Sequence, residues 1–107
     1  MLFDVRTYTV RPMKMKEQLE LYDRMGRVPQ TRHLGQPVLF LLTETGEVNT
    51  YLHIWAYENA ADREQRRAAL WKDPDWLAYV QETTKLDALV HQSTKLMTSV
   101  DFFPFKR

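Results

Sequence analysis

Histidine and arginine supply most of the chemical scope of this 107-residue sequence, which contains no cysteine. His53 lies in the run N-T-Y-L-H-I-W-A-Y, Asn49 to Tyr57, with Tyr51 and Trp55 two residues to either side. Its imidazole, with an ordinary pKa near ~6.5, suits proton transfer or ligation of a metal or haem. With no acid beside it in sequence, it equally suits a structural role, hydrogen-bonded to a tyrosine or to a second subunit. His33 follows Arg32 and precedes Gly35 by two residues. At a helix end or loop, where function concentrates, it could close a pocket, ligate haem, or complement a helix C-terminus. His91 reads as a surface residue at the start of a strand. No H-x-H or H-x-x-x-H spacing occurs, so no metal site is expected. Arg63, Arg66 and Arg67 fall within five residues. Guanidinium forks suit carboxylates and other anions, although a solvated helix face with an Asp62–Arg66 pair accounts for the same pattern.

These side chains need elements to hold them. Alternation along Asn49 to Tyr57 puts Asn49, Tyr51, His53, Trp55 and Tyr57 on one side of a strand, and Thr50, Leu52, Ile54 and Ala56 on the other. Leu2 to Val10 is a further strand, with Asp4, Arg6 and Tyr8 on one face. If the two strands pair, Arg6, Tyr8, His53, Trp55 and Tyr57 cluster, with Glu44 and Asn49 flanking a hairpin at one end. Such a cluster can line a ligand pocket or form a dimer seam, where Tyr, Trp and Arg are enriched. Parity favours the face away from the helices, and so the seam.

Helical spacing of Met15, Leu19 and Tyr22 predicts a helix from Met13 to about Met25, loosened by Gly26 and Pro29, with a further turn over Gln30 to Leu34. Pro37 to Thr45 is a strand whose unbroken run Val38 to Leu42 implies burial on both faces. Gly46 marks the following hairpin turn. Asn59 with Asp62 predicts a helix start, and Asp73-Pro74-Asp75 predicts another. His91 to Val100 is the last strand, followed by an aromatic tail expected to fold against the domain or a partner. The order β, α, β, β, α, β predicts an α+β, ferredoxin-like fold: a four-stranded antiparallel sheet with helices on one face. One sheet face is then bare in a monomer, so a homodimer pairing sheet faces is expected.

Composition narrows the rest. The net charge of +1 gives no broad basic field, which disfavours nucleic acid as a partner. No apolar run approaches the ~20 residues of a membrane span, and the first ten residues do not read as a signal peptide. A soluble, cytoplasmic, single-domain chain is the plain expectation. Phosphate-binding glycine loops and nucleophile elbows are absent from the sequence.

Several segments in order resemble the NIPSNAP family: R-T-Y-T at Arg6 to Thr9 followed by Pro12 and Lys14, R-H-L-G at Arg32 to Gly35, H-I-W-A-Y at His53 to Tyr57, D-R-E-Q-R-R-A-A-L at Asp62 to Leu70, and D-P-D-W at Asp73 to Trp76. The chain departs from the family pattern at Met13, where glycine is common. The resemblance implies a dimeric α/β-barrel superfamily that also holds cofactor-independent monooxygenases, haem-binding and haem-degrading proteins, and muconolactone-isomerase-like enzymes. It brings no agreed catalytic set. The expectation is therefore a homodimer with a small-molecule pocket between sheet and helices and no bound cofactor. In it, His53 or His33 would serve as acid or base, and Arg6, Tyr8, Trp55, Arg63, Glu44 and Asn49 would contact substrate. A haem-binding or haem-processing protein and a non-catalytic interaction module are the alternatives.

Overall fold

A computed structural model describes all of residues 1–107. Its strands are β1 (Leu2–Val10), β2 (Leu39–Leu42), β3 (Thr50–Tyr57) and β4 (Leu89–Thr98), in one antiparallel sheet of order β2-β3-β1-β4. The helices are α1 (Met15–Leu21), α2 (Arg27–Leu34), α3 (Ala60–Leu70) and α4 (Pro74–Leu86). This is the expected ferredoxin-like α+β arrangement.

Register decides what the sheet presents. Arg6 lies opposite His53, Tyr8 opposite Tyr51, Asp4 opposite Trp55, and Phe40 opposite His53. All of these point toward the helices, where Trp55 and Tyr57 pack with Leu21, Leu34, Leu70, Trp76 and Tyr79. Parity grouped these residues correctly but put them on the wrong side of the sheet. The inner face gives the polar residues partners, Arg6 and Arg63 for Asp4 and Trp55 for His53, so the apolar set is the one turned outward: Phe3, Val5, Leu52, Ile54, Leu39 and Leu41. Only 18 of 107 residues are buried, and the molecule is 19 Å across its thin axis, as a sheet with one bare face requires.

β2 is an edge strand, and its Leu39, Leu41 and Leu42 are exposed. Leu39 and Leu41 therefore mark the open face while Phe40 turns toward the helices, and the strand is not enclosed on both sides. β4 begins two residues earlier than the sequence implies, and its register with β1 shifts between Thr9 and Val10. From the tail, Phe105 packs edge-on against Phe3, ring centres 5.0 Å apart.

The first helical stretch does not break at Gly26. A π-helical turn, Tyr22–Gly26, joins α1 to α2. Pro29 has no N–H to give the preceding turn, and a widened turn just before it absorbs that loss. Glycine is needed there: a Cβ on Gly26 would meet the Tyr22 ring at 2.9 Å and the Tyr79 ring at 3.2 Å. The other helix starts follow the sequence. The Asn59 side chain accepts from the Asp62 N–H and the Asp73 side chain from the Asp75 N–H, both at 2.9 Å. No helix is long and apolar enough to cross a membrane.

Met13, the family-atypical position, has φ +74 and is 93% exposed. The left-handed region costs an L-residue roughly 1–2 kcal/mol, partly offset by the extra freedom glycine loses on folding. Met13→Gly is expected to stabilise the protein by up to about 1 kcal/mol, read as a raised denaturation midpoint in urea; a lowered midpoint would show that Met13 makes compensating contacts.

Candidate functional site

Between the sheet and the helices lies a cavity of about 230 Å³. Arg6, Tyr8, Phe40, Tyr51 and His53 form its floor, and Tyr22, Gln30, Leu70, Trp76 and Tyr79 its roof, with Arg67, Trp71 and Gln92 among the remaining lining. The floor rings lie nearly parallel. Tyr8 and Phe40 stack with His53 at 5.1 and 4.9 Å, and Tyr8 stacks with Tyr51 at 5.2 Å. None of the 16 lining residues is Asp or Glu.

Beneath one end is an ionic cluster. Asp4, with no exposed surface, takes Arg6 Nε at 3.1 Å on one oxygen and Arg63 Nε at 2.9 Å on the other. Arg63 and Arg67 are one turn apart on α3 and so share a face. Arg66 turns away, to Asp62 at 2.8 Å and the His33 carbonyl at 3.4 Å. Arg67 has no carboxylate within ion-pair distance. Burial, and then the proximity of Arg6 and Arg63, hold its guanidinium below the ordinary arginine range. The cluster thus sets three guanidinium groups against one carboxylate, which pairs with only two of them.

His53 sits where floor and cluster meet. Trp55 Nε1 donates to His53 Nδ1 at 2.6 Å. An indole N–H can only donate, so Nδ1 is unprotonated and Nε2 carries the hydrogen of the neutral ring. Burial first, then the charge of Arg6, lower the His53 pKa to about 3, with Asp4 opposing. Burial also raises the phenols of Tyr22, Tyr51 and Tyr79, which keeps these hydroxyls neutral.

The sequence-predicted residues divide in space. Arg6, Tyr8 and His53 meet at the cavity. Trp55 lies behind His53 as its hydrogen-bond donor, and Arg63 lies behind Arg6 through Asp4. Glu44 is exposed in the β2–β3 loop. Asn49 is half-buried there and spends its carbonyl on the Val10 N–H at 2.7 Å. Neither lines the cavity. His33 is elsewhere too, its Nε2 2.8 Å from Asp73 Oδ2, so that it ties the end of α2 to the start of α4. That hydrogen bond, first among several, holds the Asp73 carboxyl below its usual range. Nowhere do three His, Asp or Glu side chains gather to hold a metal ion.

Sequence reasoning missed Asp4, Phe40, Trp71, Trp76 and Tyr79. A signal for Asp4 existed, since it shares the strand face of Arg6 and Tyr8. For the helix-borne rings there was none, because only the crossing of α3 and α4 over the sheet brings them to the site.

A ferredoxin-like α+β fold enclosing a cavity between sheet and helices defines the structural class. The NIPSNAP family model matches residues 3–104, and the chain belongs to the NIPSNAP family. Protein NipSnap homolog 3A of Homo sapiens is 35% identical over 74 residues, covering 69% of this chain and 30% of that protein. This chain thus spans under a third of that relative's length. A crystal structure of a protein from Agrobacterium tumefaciens superposes with a TM-score of 0.91 at 31% identity, covering 99% of this chain and 100% of that one. An uncharacterized NIPSNAP domain protein from Burkholderia xenovorans gives 0.89 at 27% identity, covering 98% and 100%. The match to an antibiotic biosynthesis monooxygenase, with a TM-score of 0.62 and 17% identity over 94% of this chain and 99% of that one, shares the fold alone.

Proposed function

We propose that this chain binds a small, planar, anionic molecule in the cavity between sheet and helices, and works as a homodimer closed over its aliphatic sheet face. The observation that carries the ligand is the unbalanced charge. Arg6 and Arg67 face a cavity whose lining has no acid, and Asp4 is already shared by Arg6 and Arg63. The parallel rings of the floor favour a flat, unsaturated body. Turnover at such a site would proceed by stabilising negative charge that develops on a ligand oxygen, as in cofactor-independent proton-transfer or oxygen chemistry. The haem reading has less to support it. The cavity of about 230 Å³ is smaller than the roughly 300–1,000 Å³ of pockets that enclose drug-sized ligands, and His33 lies outside it.

Benzoate tests the binding role. Trp71 and Trp76 line the cavity, so its entry should quench tryptophan fluorescence, saturably. Arg67→Met removes one charged partner, whose hydrogen bond to an anion is worth about 1.5–3 kcal/mol, and should weaken affinity at least about tenfold. Equal affinity in the variant would count against the cavity as an anion site.

Supporting the dimer, Leu39 and Leu41 are about half exposed on the open face, beside Leu52, Ile54, Val5 and Phe3. An aliphatic sheet face of that kind is a characteristic interaction surface, and a two-fold axis closes it with a single operator. Light scattering should return twice 12.8 kDa at micromolar concentration. Ile54→Lys, separated from Lys95 only by Val5 on the strand between them, should shift the protein to monomer. A wild-type monomer would remove this part of the proposal.

A further inference from the structure

The geometry points to Trp55 as a positioning residue that locks His53 as a neutral Nε2–H donor, so that the cavity takes a ligand oxygen that accepts a hydrogen bond beside Arg6: a carboxylate, phenolate or enolate. The choice of ligand rests on the anion-binding role proposed above; the lock does not.

The lock is built on strand spacing. In H-I-W the histidine and tryptophan are two residues apart, so both project from the same face of β3, and the indole N–H reaches Nδ1 at 2.6 Å. Both side chains are enclosed, Trp55 at 1% and His53 at 4% exposure, so water does not compete for that bond. Trp55 is itself wedged in the core with Leu70 and Trp76. The imidazole is held between the rings of Tyr8 and Phe40 at 5.1 and 4.9 Å, both within 20° of parallel, which opposes a ring flip that would exchange the nitrogens.

Nε2 then has a hydrogen and no acceptor. It makes no hydrogen bond within the chain, and the buried polar atoms closed off without a partner are Tyr57 Oη and Trp76 Nε1. Nε2 therefore opens onto the cavity that His53 lines. Both oxygens of Asp4 are engaged by Arg6 and Arg63, so no carboxylate is free to turn toward it. A general base at this position would need a lone pair, and the one lone pair of the neutral ring is bonded to the indole. What His53 offers a ligand is a fixed donor, next to the guanidinium that sits directly across the register.

Long-range proton–nitrogen correlation on 15N-labelled protein reads the tautomer directly. The resonance set lost in His53→Gln should show a protonated Nε2 and a bare Nδ1 from about pH 8 to about pH 5. Trp55→Phe should introduce an Nδ1–H population at His53, while the His33 and His91 signals report that the fold is kept. A wild-type Nδ1–H signal would overturn the lock without recourse to any variant, and so would an unchanged tautomer in folded Trp55→Phe. For the ligand class, benzoate should bind at least about tenfold more tightly than benzamide; that preference should survive His53→Gln, which keeps an N–H donor, and shrink in His53→Leu. Equal binding of the two probes would overturn the oxyanion preference. Failure of both to bind, with the tautomer as stated, would refute the anion-binding role and leave the lock standing.

Discussion

Asp4→Asn is expected to destabilise the fold by about 3–5 kcal/mol, the usual cost of breaking a buried ion pair from one side. The acid has no exposed surface and supplies one oxygen to each of two arginines. Asparagine keeps the shape but loses the charge, and its amide nitrogen would donate toward guanidinium groups that can only donate. Arg6, Arg63 and Arg67 would then stand together with no anion among them. The companion variant Asp4→Asn/Arg63→Met, with one fewer stranded charge, should recover part of the loss. Urea denaturation followed by tryptophan fluorescence measures both. A loss under about 1 kcal/mol would mean that water or counter-ions reach the cluster.

Acidification should weaken the protein through His53. In the unfolded chain this histidine takes up a proton below pH 6.5, whereas in the folded protein it stays neutral down to about pH 3. The native state resists binding a proton that the unfolded state accepts, so the His53 contribution is complete above pH 6.5 and is lost as pH falls. The slope approaches about 1.4 kcal/mol per pH unit, which amounts to about 2 kcal/mol at pH 5. Asp62 and Asp73, whose carboxyls are held low chiefly by hydrogen bonds from Arg66 and His33 respectively, act in the same direction at lower pH. His53→Gln separates the effects, because it should flatten the stability profile between about pH 6.5 and 5 while leaving the more acidic limb in place. A variant with the wild-type slope in that window would assign the effect to other groups.

Much of this architecture was legible in the sequence because its signals are local. Period-two alternation located β1 and β3, Asn59 and Asp73 announced α3 and α4, and element order then restricted the topology. Which face of the sheet meets the helices was not legible. Alternation separates Tyr51, His53, Trp55 and Tyr57 from Leu52, Ile54 and Ala56, but hydrophobicity misleads about which set turns inward. The inner face here is lined by rings and paired charges around a cavity, and the outer one is largely aliphatic over β2 and β3. For the site itself, Arg6, Tyr8 and His53 could be grouped in advance because they lie on adjacent strands. Trp76 and Tyr79 could not, since their place depends on how α4 crosses the sheet. His33 and Glu44 looked functional by residue type, whereas the ring of His33 bridges two helix ends and the carboxylate of Glu44 faces solvent.

The division of β3 bears on how such a chain can diversify. Tyr51 and His53 line the cavity, while their immediate neighbours Leu52 and Ile54 lie on the opposite face of the sheet. With a ligand in the cavity and a partner on the aliphatic face, as proposed, two properties would be written on interleaved letters of one eight-residue word, each set of side chains pointing away from the other. On the roles proposed above, ligand preference would be free to drift while the contact between copies stayed constant, or the reverse.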